Sequence, residues 1–141
     1  MEPFSYVEGG PSADLTVEAH GSTLDEVFGN AAIAMFNAMT PIEGVEAHEL
    51  RIVQATGDDL ESLLYNFLDE LLFVHEIELL VFSSIVVSID NDNLKLIAEC
   101  QGEHFNPKRH EPGIVVKAVT FHQMEIERKK CGYTLRVVFD T

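Results

Sequence analysis

Two aspartates beside strand-like patterns are the first residues in this chain that could do chemistry. Asp14 opens a stretch in which Leu15, Val17 and Ala19 share one parity and Asp14, Thr16 and Glu18 the other. Asp140 closes a second stretch, opposite in parity to Leu135, Val137 and Phe139, and is followed by Thr141 with its carboxylate. If the two strands are antiparallel neighbours, the start of one meets the end of the other and two or three carboxylates converge. Carboxylates held together repel unless a cation lies between them. A ligand set made only of oxygens selects a hard cation, calcium, magnesium or manganese. Taken on their own, the residues are read more simply as two solvated strand-end aspartates.

Two other charged residues stand out. Glu70 follows Leu63 by seven positions and Phe67 by three, so it flanks an apolar helical stripe. A side chain that stretches to water from that boundary is the plain reading. Lys117 is the lone cation in Val115-Val116-Lys117-Ala118-Val119. It is either an outward edge-strand lysine or the partner of a carboxylate.

Other chemistries fail on spacing. Asp90-Asn91-Asp92-Asn93 suggests a calcium loop, but an EF-hand needs an oxygen ligand where Leu94 stands, glycine at Lys95 and glutamate at Gln101. A hairpin turn is expected instead. Cys100, His104, His110, His122 and Cys131 show no zinc-motif spacing, so buried thiols and surface imidazoles are expected. Nothing sets a base beside either thiol. Gly9-Gly10 leads into Pro11 and a strand, not into a helix N-terminus, so no phosphate-binding loop is present.

The elements that must position these residues follow from periodicity. Residues 4–7 read as a short strand, 8–12 as a loop and 14–21 as the alternating strand. Ser22 or Thr23 caps a helix whose stripe is Leu24, Val27, Phe28, Ala31, Ala32, Met35 and Met39, stopped by Pro41. Residues 42–47 read as a loop, and the strand around Leu50 and Ile52 follows. Asp58 or Asp59 caps a second helix, with Leu60, Leu63, Leu64, Phe67, Leu68, Leu71 and Leu72 inward, lasting to about Ile77. Then come strands at 79–89 and 94–100, a polar loop at 102–113, a strand at 114–127, a turn at 128–132 and the final strand at 133–139. The implied architecture is α+β, a two-layer sandwich of two helices on a largely antiparallel sheet.

The chain has 141 residues, 46% of them hydrophobic, which suits one domain spanning 1–141. It has 24 acidic and 9 basic residues and a formal net charge of −15. Such a chain is repelled by phosphate backbones and by anionic membrane surfaces. A hard cation or a basic protein is its natural complement. The apolar stretch 63–82 carries Asp69, Glu70, Glu76 and Glu78, so it is not read as a membrane span. Met1-Glu2-Pro3 shows no signal-peptide pattern, and two cysteines make no disulfide framework, so a cytoplasmic location is expected.

Several segments together resemble the archease family. They are Ala13-Asp14 with its alternating strand; Thr23-Leu24-Asp25-Glu26-Val27-Phe28 with Asn30-Ala31-Ala32; and Asp59-Leu60-Glu61-Ser62-Leu63-Leu64-Tyr65-Asn66-Phe67-Leu68 with Glu70-Leu71-Leu72-Phe73. Further on come Gly102-Glu103, His110, Val116-Lys117-Ala118-Val119-Thr120-Phe121-His122 and Val137-Val138-Phe139-Asp140. They cover nearly the whole chain in order. The resemblance implies a non-enzymatic activator of the GTP-dependent tRNA-splicing RNA ligase, promoting guanylylation of the ligase histidine and turnover. It also implies a divalent metal, calcium foremost, held by Asp14 and Asp140 with Thr141 beside them, which reverses the preference for solvated aspartates. Glu70, Lys117 and His122 are the candidate partner-contact residues. The implied partner is the ligase protein, with no tight nucleic-acid binding and no membrane. A small metal-dependent hydrolase using Asp14, Asp140 and Glu70, or a calcium-binding interaction module unrelated to RNA, are the alternatives. The family pattern His-Thr-Ala-Asp is replaced here by Gly10-Pro11-Ser12-Ala13-Asp14, which keeps Ala-Asp and lacks His-Thr.

Overall fold

The structure is a computed structural model and describes residues 2–7 and 14–141. The loop expected at 8–12 and the first residue of the Ala-Asp pair lie outside the described residues. In chain order the elements are β1 (Phe4–Val7), β2 (Leu15–Gly21), α1 (Leu24–Met39), a 3-10 turn (Ile42–Gly44), β3 (Glu49–Thr56), α2 (Leu60–Glu78), β4 (Leu80–Asp90), β5 (Lys95–His104), β6 (Ala118–Lys129) and β7 (Gly132–Asp140). The expected α+β class with two helices on antiparallel strands holds. The strands, however, divide into a four-stranded sheet ordered β1-β2-β7-β6 and a three-stranded sheet ordered β3-β5-β4. Each helix touches both sheets, α1 through β2, β7 and β4, and α2 through β6 and β3.

Local chemistry sets the helix ends. The Thr23 hydroxyl accepts the Glu26 amide at 3.1 Å and starts α1. Asp59 and Ser62 cap α2 reciprocally: the carboxylate accepts the Ser62 amide at 2.7 Å, and the Ser62 hydroxyl accepts the Asp59 amide at 3.1 Å. Leu79 ends α2 in the left-handed region at φ 58° and donates its amide to the His75 carbonyl at 2.8 Å. The expected stripes face inward, with Val27, Phe28, Ala31, Ala32 and Met35 on α1 and Leu63, Leu64, Phe67, Leu68 and Leu71 on α2 fully buried. Tyr65 of α2 stacks on Phe121 of β6 with centroids 4.3 Å apart.

Two boundaries differ from the sequence expectation. β5 runs past Cys100 to His104, into residues read as a polar loop. Gly102 makes this possible, because a Cβ there would fall against the Val81 carbonyl oxygen at the β4–β5 bulge. β6 starts at Ala118, although 114–117 carries β-branched strand-like residues. The main chain there serves α1 instead: Gly113 and Ile114 donate to the Met39 and Ala38 carbonyls at 2.7 and 2.8 Å. These are final-turn carbonyls with no partner inside the helix. Gly113 is needed for that approach, since a Cβ would meet the Ala38 oxygen.

The Asp90–Asn93 turn behaves as a turn. The Asp90 carboxylate accepts the Asp92 and Asn93 amides at 3.2 and 3.3 Å and the Asn93 side-chain amide at 2.8 Å.

Gly102→Ala is expected to destabilise the protein by roughly 2–3 kcal/mol, because backbone rather than a flexible side chain must move. Gly44→Ala, with nothing near its added Cβ, is the control. Urea midpoints measure both, and equal midpoints would contradict the close approach at Gly102.

Candidate functional site

The β2–β7 ladder runs from Gly21↔Tyr133 to Leu15↔Phe139, so Asp14 and Asp140 are the next residues on the two chains at that end. Opposed residues in antiparallel pairs have Cα atoms about 4.5–5.5 Å apart, which brings two carboxylates within reach of each other. Both aspartates are exposed. The buried parity of β2, Val17 and Ala19, fixes this register, because a slip by one residue would expose both. On the other side of β7, Ala118 pairs with Asp140, and the Lys117 amide donates to the Asp140 carbonyl at 2.7 Å. Lys117 is therefore fastened by its main chain beside Asp140 and Thr141, while its side chain is exposed.

Glu70 and Lys117 line one depression of about 360 Å³ with Asp69, Phe73 and Glu76. Glu70 is exposed on α2, in keeping with the solvent-reaching reading. The arrangement thus gathers Asp14, Asp140, Thr141 and the Lys117 main chain at one sheet end, and sets Glu70 across a depression from the Lys117 side chain. His122 sits apart from them. It is exposed in the irregular stretch of β6 between Thr120 and Glu125, four residues beyond Ala118.

Sequence reasoning missed a buried charge knot. Glu103, at the end of β5, is 7% exposed. Its carboxylate accepts two hydrogen bonds from Arg109 at 2.7 and 3.0 Å, the Glu46 amide at 2.6 Å and His110 Nε2 at 3.2 Å. His110, expected as a surface imidazole, is buried at 2% exposure and stacks on Phe105. Its Nδ1 accepts the Asn106 amide at 2.8 Å, so the ring proton is on Nε2 and points at Glu103. Gly102-Glu103 and Arg109-His110 are visible in the sequence, but polar residues in a loop normally face water. Among the described residues, Glu46, His48 and Glu103 have ligand-type atoms within 4.8 Å of one another. Both Glu103 oxygens already accept donors and the Arg109 guanidinium adjoins them, so this group fits an ion-pair knot better than a cation site.

The Arg109 hydrogen bonds hold the Glu103 carboxyl down at about 2, helped by the Glu46 amide and His110 and opposed by burial. Burial pushes the Cys100 thiol up to about 12, so it is no nucleophile at neutral pH. Cys131, contrary to the expected buried thiol, is exposed.

A carboxyl depressed in the folded state stabilises it above its unfolded value, near 4.3, and loses that contribution as pH falls toward 2. The half-exposed Arg109 screens the pair, so Glu103→Gln should cost about 1–2 kcal/mol at pH 7. The gap from wild type should narrow from pH 4 to pH 2.5, with part of it still present at pH 2.5, because the folded carboxyl gains its proton only near 2. Urea unfolding at pH 7, 4 and 2.5 measures it, and a constant gap would mean the carboxylate charge does not hold the knot.

The Archease protein family model matches residues 4–141. The chain is 43% identical to Protein archease of Sulfurisphaera tokodaii over 140 residues, covering 99% of both chains. It is 47% identical to Protein archease of Methanothermobacter thermautotrophicus, again over 99% of both. The solution structure of Methanobacterium thermoautotrophicum Protein 1598 superimposes with a TM-score of 0.87 at 44% identity over the full length of both chains. The crystal structure of an archease, described as a possible chaperone, from Thermotoga maritima shares the fold at a TM-score of 0.62 and 20% identity, covering 92% of this chain and 91% of that one. With its Asp14–Asp140 strand ends and its α2 and β6 motifs inside the matched span, the chain belongs to the archease family.

Proposed function

We propose that this protein is a non-enzymatic, metal-binding cofactor of the GTP-dependent RNA ligase of tRNA splicing, promoting guanylylation of the ligase and its multiple turnover. The observation that carries the reading is the meeting of Asp14 and Asp140 at the end of one β ladder, with Lys117 tied to Asp140 by its amide. The donor set fits a hard divalent cation, calcium foremost: two exposed aspartates just beyond the last pair of one ladder, followed by a half-buried Thr141, all offering oxygen. Such a cation supplies Lewis-acid charge where negative charge develops on a triphosphate.

The chain's own residues account for the rest of the reading. Asp14 and Asp140 present paired negative charge on an exposed end, where a basic protein surface can reach it. The amide contact from Lys117 holds the β7 main chain in place at Asp140. Glu70 and Lys117 offer one acceptor and one donor across their shared depression. The family resemblance supports the ligase as partner, and the net charge of −15 supports action on the protein rather than on RNA.

Asp14→Ala and Asp140→Ala should each abolish stimulation of ligase guanylylation. Melting temperatures measured without metal should stay within about 2 °C, because removing a surface carboxylate from a repelling pair costs little. Undiminished stimulation by both variants would put the contact surface elsewhere. Calcium should give a saturable binding heat on titration into wild type and not into Asp14→Asn, and equal heats would end the metal assignment. The purified protein should show no RNA joining, nucleotide hydrolysis or phosphatase activity. A turnover lost in Asp14→Ala would instead make it a hydrolase.

A further inference from the structure

An apolar trough lies beside the proposed activating surface. It has a volume of about 520 Å³, with Leu79, Val81, Phe105, Ile114, Val115 and Val116 on its walls. It shares Glu76 and Lys117 with the depression that holds Glu70, so the two are continuous. Large apolar side chains around it are open to water: Val115 is 72% exposed, Ile77 67% and Leu79 58%, and Phe73 lies one helical turn before Ile77. Leu79 is exposed from a left-handed backbone that glycine would adopt more easily, at a cost of roughly 1 kcal/mol for a leucine.

Three observations identify the occupant. The 113–117 segment belongs to no helix or strand and is anchored at both ends, by Gly113 and Ile114 to α1 and by Lys117 to Asp140. Between those anchors, the amide of the exposed Val115 takes part in no main-chain hydrogen bond among the described residues. An extended peptide can add to such an edge and place alternate side chains in the trough. The adjoining rim carries Asp69, Glu70 and Glu76 against Lys117 alone, so it favours positive charge. Another exposed apolar group, Leu50, Ile52, Val86 and Ile97, lies on the outer face of the three-stranded sheet, away from this acidic rim, with β5 laddered on both sides and β3 and β4 on one.

We propose that this trough receives an extended segment of the partner protein, with apolar side chains on the Leu79–Val115 walls and a lysine or arginine against the Glu70–Glu76 rim. The identity of that partner as the ligase rests on the functional reading above, while the chemistry of the segment does not.

Two measurements test it. A capped Lys-Val-Leu-Val-Lys peptide titrated into the isotope-labelled protein should shift the amides of Glu76, Leu79, Phe105 and Val115. The shifts should vanish in Val115→Asp and for a Glu-Val-Leu-Val-Glu peptide. Absent shifts, or equal shifts with the acidic peptide, overturn the proposal. With purified ligase, Val115→Asp should weaken binding by roughly tenfold or more, as for a central apolar contact. Val86→Asp, on the outer face of the three-stranded sheet, should change binding by less than about twofold, as is usual away from such a contact. Circular dichroism verifies that both variants fold. Tight ligase binding that Val115→Asp leaves unchanged overturns the proposal while the functional reading stands. A wild-type protein that takes the basic peptide but not the ligase removes the ligase and keeps the trough as the docking site for another basic-flanked protein.

Discussion

The constraint on which the fold depends is that α1 has almost no wet side. Val27, Phe28, Ala31, Ala32, Ala34, Met35 and Phe36 are all fully buried and cover more than half of its circumference, and on the remaining arc Asn30, Ile33 and Asn37 are still half-buried and Glu26 alone among these residues is exposed. Small residues among them let β2 and β7 approach on one side and β4 on another. Phe36 meets Phe82 of β4 edge-on with centroids 5.3 Å apart. Polar groups are satisfied by the surrounding elements. Asp25 accepts the Ile89 amide at 3.0 Å, and Asn30 donates to the His20 carbonyl at 2.7 Å. The last carbonyls of the helix accept Ile114 and Gly113. The segment that fixes Lys117 beside Asp140 is thus also the cap of the central helix.

Glu103 does for the opposite end of that connection what α1 does for the near end. A loop of polar residues next to an apolar trough would gain little from packing and would cost conformational entropy to order. One buried carboxylate gathers Arg109, His110 and the Glu46 amide, and Phe105 donates its amide to the Leu79 carbonyl at 2.7 Å. Removing one partner of such a buried set leaves the others unsatisfied, so the knot is cooperative. The wall of the trough formed by Phe105 and 112–116 inherits its rigidity from these contacts.

How far the sequence reached depended on whether a feature is local. Leu15, Val17 and Ala19 were legible because one face of β2 is buried and the other is not. The α2 stripe was legible for the same reason at a helical period. The neighbourhood of Asp14 and Asp140 was legible only as a condition, since alternation identifies a strand but not its partner. The division into two sheets was hidden for that reason too. Ile114 to Lys117 has the composition of a strand, yet its hydrogen bonds go to a helix end, which no periodicity encodes. Burial of Glu103 and His110 depends on β5 running on past Gly102, and so on a close approach to Val81 distant in sequence.

The acidity of the chain and the apolar trough answer different parts of recognition. Of the basic residues, Arg51 pairs with Glu78 at 2.9 Å, Arg109 with Glu103, and Arg136 lies within 4.0 Å of Glu18 and 3.8 Å of Glu125. These pairs lie on different elements, and each cation faces a carboxylate of its own chain, so they do not line up as a track for phosphates. Coulomb attraction between a −15 protein and a basic one is long in range and raises the rate of encounter, but it is weakened by salt and discriminates poorly among basic partners. Selectivity must come from contacts that act only at short range. The trough lies against the charged rim, so a segment steered to Glu70 and Glu76 arrives where its apolar side chains and main chain can be read. Placing the two in contact makes charge the guide and shape the filter, and it sets the Asp14–Asp140 end at a fixed distance from whatever the trough has accepted.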